Sequence, residues 1–156
     1  MPDRDEKYIR LALEEAILAC VEGEVPVGAV VAIGDDVLAK SHNRSITLND
    51  PSAHAEILAI RQAAEKIGNY RLCGASLYVT LEPCIMCAGA IIAARIERVV
   101  FGADDPKAGG VVSLYQILND KRLNHDVAFR GGVLKESCAE ILSRFFREKR
   151  IVSRST

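Results

Sequence analysis

The stretch Leu77-Tyr78-Val79-Thr80-Leu81-Glu82-Pro83-Cys84-Ile85-Met86-Cys87 decides the architecture, because an apolar β-rich run passes directly into a C-x-x-C pair. Residues 77–80 predict a short buried strand. Pro83 suits the first turn of a following helix, where its missing N–H costs nothing. Cys84 and Cys87 are three positions apart and would share one face of that helix. Two thiols at a helix N-terminus, where the helix dipole eases thiolate formation, indicate a site for chemistry.

A second stretch, His54-Ala55-Glu56, lies about one βαβ unit upstream and follows a helix-start signal. Taken alone, the C-x-x-C pair also fits a redox pair, and the histidine also fits a capping or core residue. Taken together, His54, Cys84 and Cys87 match the three-ligand set of a catalytic zinc ion, whose fourth position is left to water. Glu56 remains as a free carboxylate beside the metal. We therefore predict one zinc ion per chain.

The remaining pattern alternates strands with helices, which predicts an α/β sandwich with a mixed sheet. Helical spacing predicts a first helix that stops at Gly23 and has an apolar face of Ile9, Leu13, Ala16, Ile17 and Cys20. The other expected elements are a hairpin of strands at 27–33 and 37–41, a helix ending before Gly68, a strand at 99–101, a short helix at 114–118, a strand at 127–129, and a helix at 136–149 with an apolar face of Ile141, Leu142, Phe145 and Phe146.

The third helix continues as Ala88-Gly89-Ala90-Ile91-Ile92-Ala93-Ala94, which is apolar on every side. A helix that is hydrophobic all round must be covered all round. One side can pack on the sheet, and the other would meet either neighbouring helices of the same chain or a second subunit. We favour the second subunit and predict a homodimer.

The overall charge excludes a protein that coats nucleic acid by bulk electrostatics, since the 156 residues carry a formal net charge of -1. One local basic patch exists. Between residues 144 and 154, the only charge of opposite sign is Glu148, and the cations are Arg144, Arg147, Lys149, Arg150 and Arg154. Such a patch fits an RNA contact, and it equally fits cations that complement the dipole at a helix C-terminus.

Residues 1–156 are expected to form a single domain with a basic tail after about residue 150. The three cysteines outside the C-x-x-C pair are interpreted as small buried hydrophobic residues in a reducing compartment. The charged N-terminal segment has no apolar region behind it, and the most apolar stretch is too short to span a bilayer. We predict a cytoplasmic protein without a membrane association.

The order H-x-E followed by P-C-x-x-C is the signature of zinc-dependent nucleobase deaminases. From about residue 6 to residue 150, the chain resembles the cytidine deaminase superfamily, and more closely the bacterial tRNA-specific adenosine deaminases. The resemblance implies a three-layer sandwich with a five-stranded mixed sheet flanked by helices, a homodimer, and conversion of the wobble adenosine of a tRNA anticodon to inosine. It rests on Glu24-Val25-Pro26-Val27-Gly28-Ala29, Ala53-His54-Ala55-Glu56, Tyr78-Val79-Thr80-Leu81-Glu82-Pro83-Cys84, Asn124-His125 and Phe145-Phe146.

At the matching positions, the resemblance makes His54, Cys84 and Cys87 the zinc ligands and Glu56 the proton shuttle. Asn43 is expected to hydrogen-bond the flipped base. Contacts to neighbouring nucleotides of the anticodon stem-loop are expected from Asp105, Lys107, Asn124, Phe145, Phe146 and Arg147. Asp104 places an extra acid beside Asp105, which departs from the pattern expected of this loop.

Two other functions would use the same residues. A deaminase of a free base or nucleoside, such as guanine or cytosine, needs the same zinc ion and the same glutamate. A non-catalytic, zinc-stabilised RNA-binding subunit needs only the metal ligands. The intact Glu56, and the lack of a fourth Cys or His in either motif, favour an enzyme over the binding subunit.

Overall fold

A five-stranded mixed sheet forms the middle layer of the computed structural model, which describes residues 3–155 and their side chains as far as residue 151. The strand order is β2-β1-β3-β4-β5, with β1 antiparallel to both neighbours and the β3–β4 and β4–β5 pairs parallel. The elements are α1 Arg4–Val21, β1 Gly28–Ile33, β2 Asp36–His42, α2 Ala55–Ile67, β3 Ser76–Leu81, α3 Ile85–Ala93, β4 Arg98–Ala103, β5 Ala128–Arg130 and α4 Lys135–Ser155.

Helices cover both faces of the sheet, so the three-layer sandwich and the five-stranded sheet are confirmed. On one face, residues of α2 and α3 such as Ala59 and Ile91 pack against Val31, Val79 and the alternate positions of the neighbouring strands. On the other face, residues of α1 and α4 form a second core with the intervening strand positions. This alternation follows from the period of two along a strand.

The buried face of the first helix overlaps only in part with the face that its apolar spacing predicts. Ile9 and Ala16 are buried as expected, but Ile17 is 54% exposed, and Ala12 belongs to the buried stripe. The reason is the close approach of α1 to β1: a Cβ added at Gly28 would lie 1.8 Å from the carbonyl oxygen of Ala12 and 2.7 Å from the backbone nitrogen of Ala16. Only small residues fit at such a contact, so Ala12 and Ala16 lie there and Ile17 lies outside it.

The N-terminus of α1 is tied to the far edge of the sheet by a buried carboxylate. Asp5 accepts two hydrogen bonds from Arg98 on β4, at 2.8 and 2.7 Å, and a third from Arg130 on β5 at 2.8 Å. The Asp3 side chain caps the same helix by accepting from the backbone N–H of Asp5 at 3.1 Å. These bonds link the first turn of the chain to strands about a hundred residues later.

Two expected helix boundaries are wrong, and one expected helix does not form. The third helix begins at Ile85 with Cys84 as its N-cap, because the Pro83 carbonyl accepts from Gly110 and Cys84 bridges to Gly109, which keeps this segment extended. No helix forms at 114–118, because the backbone N–H groups at 114 and 115 donate to the Gly109 carbonyl and that at 117 donates to Gly110. The last helix continues to Ser155, so its backbone includes the segment expected to be a tail after residue 150.

Within residues 3–155, the structure contains no helix with enough length and apolar character to traverse a lipid bilayer.

Candidate metal centre and substrate cleft

The two sequence motifs meet at neighbouring helix N-termini. His54 is the N-cap residue of α2, and Cys84 is the N-cap residue of α3. Neither side chain caps its own helix, so both are available to face each other. Cys87 lies in the first turn of α3, and Glu56 lies in the first turn of α2. The partial positive charge at both helix ends favours thiolates and carboxylates at this point.

His54, Cys84 and Cys87 form a compact triad of potential metal ligands. The Nδ1 atom of His54 lies 3.6 Å from Cys84 Sγ and 3.5 Å from Cys87 Sγ, and all three donor atoms lie within 4.8 Å of one another. In a tetrahedral zinc site with ordinary bond lengths, the S···N edge is about 3.5 Å. The triad therefore fits a zinc ion in both donor chemistry and spacing. It is the one such group found among the described residues.

The two thiols differ in how readily they ionise. Hydrogen bonding from Cys87, with a further contribution from His54, lowers the pKa of Cys84 to about 4. The same contact with Cys84, together with burial, raises the pKa of Cys87. Contact with Cys84 also raises the pKa of His54 above its ordinary value. A divalent cation at this point would stabilise both sulfurs as thiolates.

Glu56 is buried beside the triad without belonging to it. Its side chain is 4% exposed, and burial raises its pKa to about 7. A carboxyl group with a pKa near neutrality can both accept and release a proton at physiological pH. This is the property required of a proton shuttle, and the role of Glu56 stays a prediction.

A cleft of about 190 Å³ opens onto Glu56 and the ligands. Asn43, just after the end of β2, and Asp105, just after β4, contribute to its wall, so the structure brings two of the expected substrate residues to the metal centre. The other lining residues are Val25, Val27, His54, Leu81, Glu82, Cys84 and Ala108. The lining of the cleft thus combines apolar and polar side chains.

Comparison with known proteins places this site in a family. A sequence model of the MafB19-like deaminases matches residues 3–150. The tRNA-specific adenosine deaminase of Bacillus subtilis (strain 168) is 49% identical over 147 residues, which cover 94% of this chain and 91% of that protein. The Haemophilus influenzae protein of the same name is 50% identical over 149 residues, covering 94% of this chain and 85% of that protein. The chain belongs to the tRNA-specific adenosine deaminases.

Structural similarity agrees with this assignment. A solved structure from studies of A-to-I editing by tRNA:A34 deaminases at the wobble position of transfer RNA superposes on this deaminase with a TM-score of 0.84. The two chains are 48% identical, and the match covers 87% of this chain and 99% of the other.

A larger groove of about 850 Å³ adjoins the cleft of this deaminase and shares Asp105 and Leu81 with it. Lys107 and Phe146, two of the expected RNA contacts, line the groove. Phe146 is 45% exposed. The remaining lining residues are Val25, Asp104, Pro106, Ala108, Leu142, Ser143, Lys149 and Arg150.

Three other expected contacts do not reach the groove or the cleft of the deaminase. Phe145 is only 7% exposed and belongs to the core, and Arg147 lies 3.8 Å from Glu140 on α4. Asn124 precedes His125, which hydrogen-bonds the Ile96 carbonyl before the start of β4. His54, Cys84 and Cys87 lie at the other end of the sheet, roughly 20 Å away along the strands. The RNA-binding roles of these three residues stay predictions.

Sequence reasoning missed two features of the deaminase site. The first is that Lys149 and Arg150 line the groove. The sequence showed that the C-terminal segment is basic, but not which of its cations face the groove. Glu82, at the end of β3, is buried and lines the cleft. Burial tends to raise its pKa, but hydrogen bonds from Ser113, Asp105 and Val112 outweigh this and hold the pKa below its ordinary value. The available signal was an acid placed between an apolar strand and the C-x-x-C motif.

Two polar side chains near the site, His42 and Asp104, interact with other side chains of the fold. The His42 ring hydrogen-bonds the carboxylates of Glu15 and Glu22 on α1, so this histidine has a structural role. Asp104, the extra acid of the loop, lies 3.8 Å from Lys135 on α4. Part of the negative charge that Asp104 adds to the groove is therefore balanced.

Proposed function

We propose that this deaminase catalyses the zinc-dependent hydrolytic conversion of adenosine to inosine at the wobble position of a tRNA anticodon. The observation that carries the proposal is the buried Glu56 beside the His54, Cys84 and Cys87 triad, at the floor of a cleft that opens onto a groove with cationic and aromatic residues. The close relatives that bear the name tRNA-specific adenosine deaminase support the choice of substrate.

His54, Cys84 and Cys87 would hold the metal. A zinc ion bound there would lower the pKa of a bound water to about 7 and so supply a nucleophile at neutral pH. Glu56 takes a proton from the attacking water and gives it to N1 of adenine while the bond from oxygen to C6 forms. The carboxylate then takes the remaining proton from the hydroxyl group on C6 and gives it to the exocyclic nitrogen, so that the C6–N bond breaks as the C6 carbonyl forms. The products are inosine and ammonia, and the carboxylate is restored.

The cleft suits one extruded nucleobase. Its volume of about 190 Å³ is smaller than the roughly 300–1,000 Å³ typical of pockets for drug-sized ligands. We assign Asn43 to hydrogen bonding of the adenine edge, because its amide offers both donors and acceptors at the cleft wall. An anticodon loop lowers the cost of extrusion, since the target base is unpaired from the start.

The groove supports a polymeric substrate. An exposed phenylalanine can stack on an unpaired base, and lysine and arginine side chains can bind phosphates. Phe146, Lys107, Lys149 and Arg150 place both kinds of group next to the cleft. A free base or nucleoside would leave this surface unused.

The deciding experiment measures ammonia release from an anticodon stem-loop with adenosine at the wobble position, and from free adenosine, guanine and cytosine. We expect turnover of the stem-loop alone, with one zinc ion bound per chain by metal analysis. Turnover of a free base without turnover of the stem-loop would establish the small-molecule rival. Tight RNA binding with zinc bound and no ammonia from any substrate would establish the non-catalytic RNA-binding subunit.

We also propose that the chain is a cytoplasmic, single-domain protein that works as a homodimer. The support for the dimer is apolar exposure on α3, where Ile85 is 49% exposed and Met86 is 39% exposed. These side chains flank the metal ligands, so a partner there would also shield the site from water. Light scattering at micromolar concentration should give twice the chain mass of 17.0 kDa. A mass of one chain would reject the dimer.

A further inference from the structure

A buried carboxylate joins the metal-binding segment to the loop that forms the cleft wall. Glu82 is 2% exposed and lies two residues before the ligand Cys84. Its partners among the described residues are N–H and O–H groups of residues 105–113. One carboxylate oxygen accepts from the backbone N–H of Asp105 at 3.0 Å and from the Ser113 hydroxyl. The other accepts from three consecutive backbone N–H groups, of residues 111, 112 and 113, at 3.1, 2.8 and 2.9 Å.

The loop is packed onto this carboxylate with no spare room. A Cβ added at Gly109 would lie 2.4 Å from the Glu82 carboxylate. Backbone contacts run in parallel with the side-chain bonds: Gly110 donates to the Pro83 carbonyl at 2.8 Å, and Gly109 bridges to Cys84. Residues 82–84 therefore hold the loop and present a metal ligand at the same time.

A carboxylate is the chemical group that this position requires. An ionised carboxylate is an acceptor only, with lone pairs for about four donors, and converging N–H groups can stabilise it without a cation. A glutamine of the same shape would turn an NH₂ group toward some of these N–H donors. The loop would then lose part of its attachment, although the buried volume stays the same.

The residues that the loop carries are those that face substrate. Asp105 and Ala108 line the cleft, and Lys107 lines the groove. Within the loop, the Asp105 side chain accepts from the backbone N–H groups of Lys107 and Ala108 at 3.1 and 3.3 Å, so these three positions move together. Anything that sets the position of Asp105 therefore also sets the position of Lys107 relative to the metal centre.

We propose that Glu82 is a positioning residue of this deaminase, which fixes the 105–113 loop against the metal-binding segment so that Asp105 and Lys107 meet the RNA beside the reacting base. The assignment rests on the proposed function for its substrate, because it names the residues that receive the stem-loop. Glu82 itself transfers no proton and binds no metal in this role.

The test is a double-mutant cycle in the full-length zinc-loaded protein, with kcat and KM measured on the stem-loop. Glu82→Gln should raise KM about tenfold, the size of one or two lost contacts to the RNA. It should retain zinc and change kcat far less. Lys107→Ala should raise KM in the parent but add nothing in the Glu82→Gln background, because the displaced loop has already lost that contact. Lys149→Ala is the matched control, since this cation lines the same groove from α4 and should raise KM by the same factor in both backgrounds.

An unchanged KM in Glu82→Gln, or a full Lys107→Ala effect in that background, overturns the proposal. If Glu82→Gln does not fold, Ser113→Ala takes its place, because it removes only one hydroxyl donor from the carboxylate. This variant should raise KM and reduce the Lys107→Ala effect, and a KM equal to that of the parent would reject the proposal.

Hydrogen exchange separates the failure of this proposal from the failure of the proposed function. In Glu82→Gln, or in Ser113→Ala if that variant replaces it, the amides of residues 105 and 111–113 should exchange faster than in the parent, while those of β3 stay protected. This readout needs no activity. Unchanged protection of the loop amides would refute the attachment even in an active enzyme. Faster exchange in a protein that never deaminates the stem-loop would retain the attachment and reject the function.

Discussion

In the proposed mechanism, Glu56 transfers protons without binding the metal, because it is buried beside the His54, Cys84 and Cys87 triad but does not belong to it. Glu56→Gln should therefore retain one zinc ion and the parent fold. Its inosine formation should fall by ~10²- to 10⁴-fold or more, since the same group serves as base and then acid. Mass spectrometry of the stem-loop product and metal analysis measure the two quantities. Glu65→Gln, an exposed change of the same kind on α2, is the control, and equal rates in the two variants would contradict the assignment.

Phe145 and Phe146 are adjacent on α4, but only Phe145 is buried, so substitutions at the two positions distinguish core packing from RNA contact. Phe146→Ala should weaken stem-loop binding by about 1–3 kcal/mol, the contribution of one base stacked on an aromatic ring, with little change in the free energy of unfolding. Phe145→Ala should cost about 3–5 kcal/mol of stability, because its ring is buried. Binding titrations and urea unfolding measure both. If Phe146→Ala binds the stem-loop like the parent, the ring does not contact the RNA.

At the scale of elements, the link between α1 and the far strands makes stability depend on pH. Hydrogen bonding from Arg98, reinforced by Arg130, holds the pKa of Asp5 below its ordinary 3.8. Its contribution to the free energy of unfolding is fully present above that ordinary value and is lost as pH falls through the lowered pKa. Asp5→Asn should cost about 2 kcal/mol at neutral pH, and the difference from the parent should shrink in acid.

Thermal unfolding across a pH series measures this effect. Asp35→Asn is the matched control, because Asp35 pairs with Arg4 on the surface, where such pairs contribute little. A constant difference between Asp5→Asn and the parent down to about pH 2 would contradict the assigned role of the carboxylate.

The candidate metal-binding residues could be predicted from the sequence, because their chemistry is local. Features that depend on packing between distant parts of the chain could not. The His54 and Cys84 motifs are short, and their residue types follow from what zinc accepts, so the triad could be expected without knowing the fold. The exposure of Ile17 on α1 could not be expected, because it depends on how closely the helix approaches Gly28. The helix expected at 114–118 is missing because carbonyls of an earlier turn bind its N–H groups, which no local pattern encodes.

Packing between distant elements also decides which residues of the basic patch on α4 face the groove. Helical spacing alone does not say how α4 is rotated against the sheet, so it could not separate Phe145 from Phe146 or decide which cations face the substrate. The structure directs Lys149 and Arg150 to the groove, whereas Arg144 and Arg147 lie near Glu140. Glu82 was overlooked because an acid at a strand end ordinarily marks a return to solvent.

At the scale of the whole molecule, these two cation pairs predict different salt dependences of RNA binding. Lys149→Ala plus Arg150→Ala should reduce the slope of log affinity against log salt by about two units, since each lost phosphate contact removes about one. Arg144→Ala plus Arg147→Ala should reduce it less. Stem-loop titrations over a salt series measure both slopes, and zinc content serves as the folding control. A larger loss of slope in the second pair would place the RNA on the other face of α4.

The groove and the catalytic centre are built from different parts of the chain. The potential metal ligands and Glu56 come from the α2 and α3 layer, whereas the groove is lined mainly by the loop after β4 and by α4 from the opposite layer. In evolutionary terms, the residues of the groove can change while those of the catalytic centre are retained. Lineages that adapt to a different RNA would accumulate substitutions at positions such as Ser143 and Lys149, while the proton chemistry stays constant. Laboratory selection for a new sequence context should therefore enrich changes in α4 before any in α2.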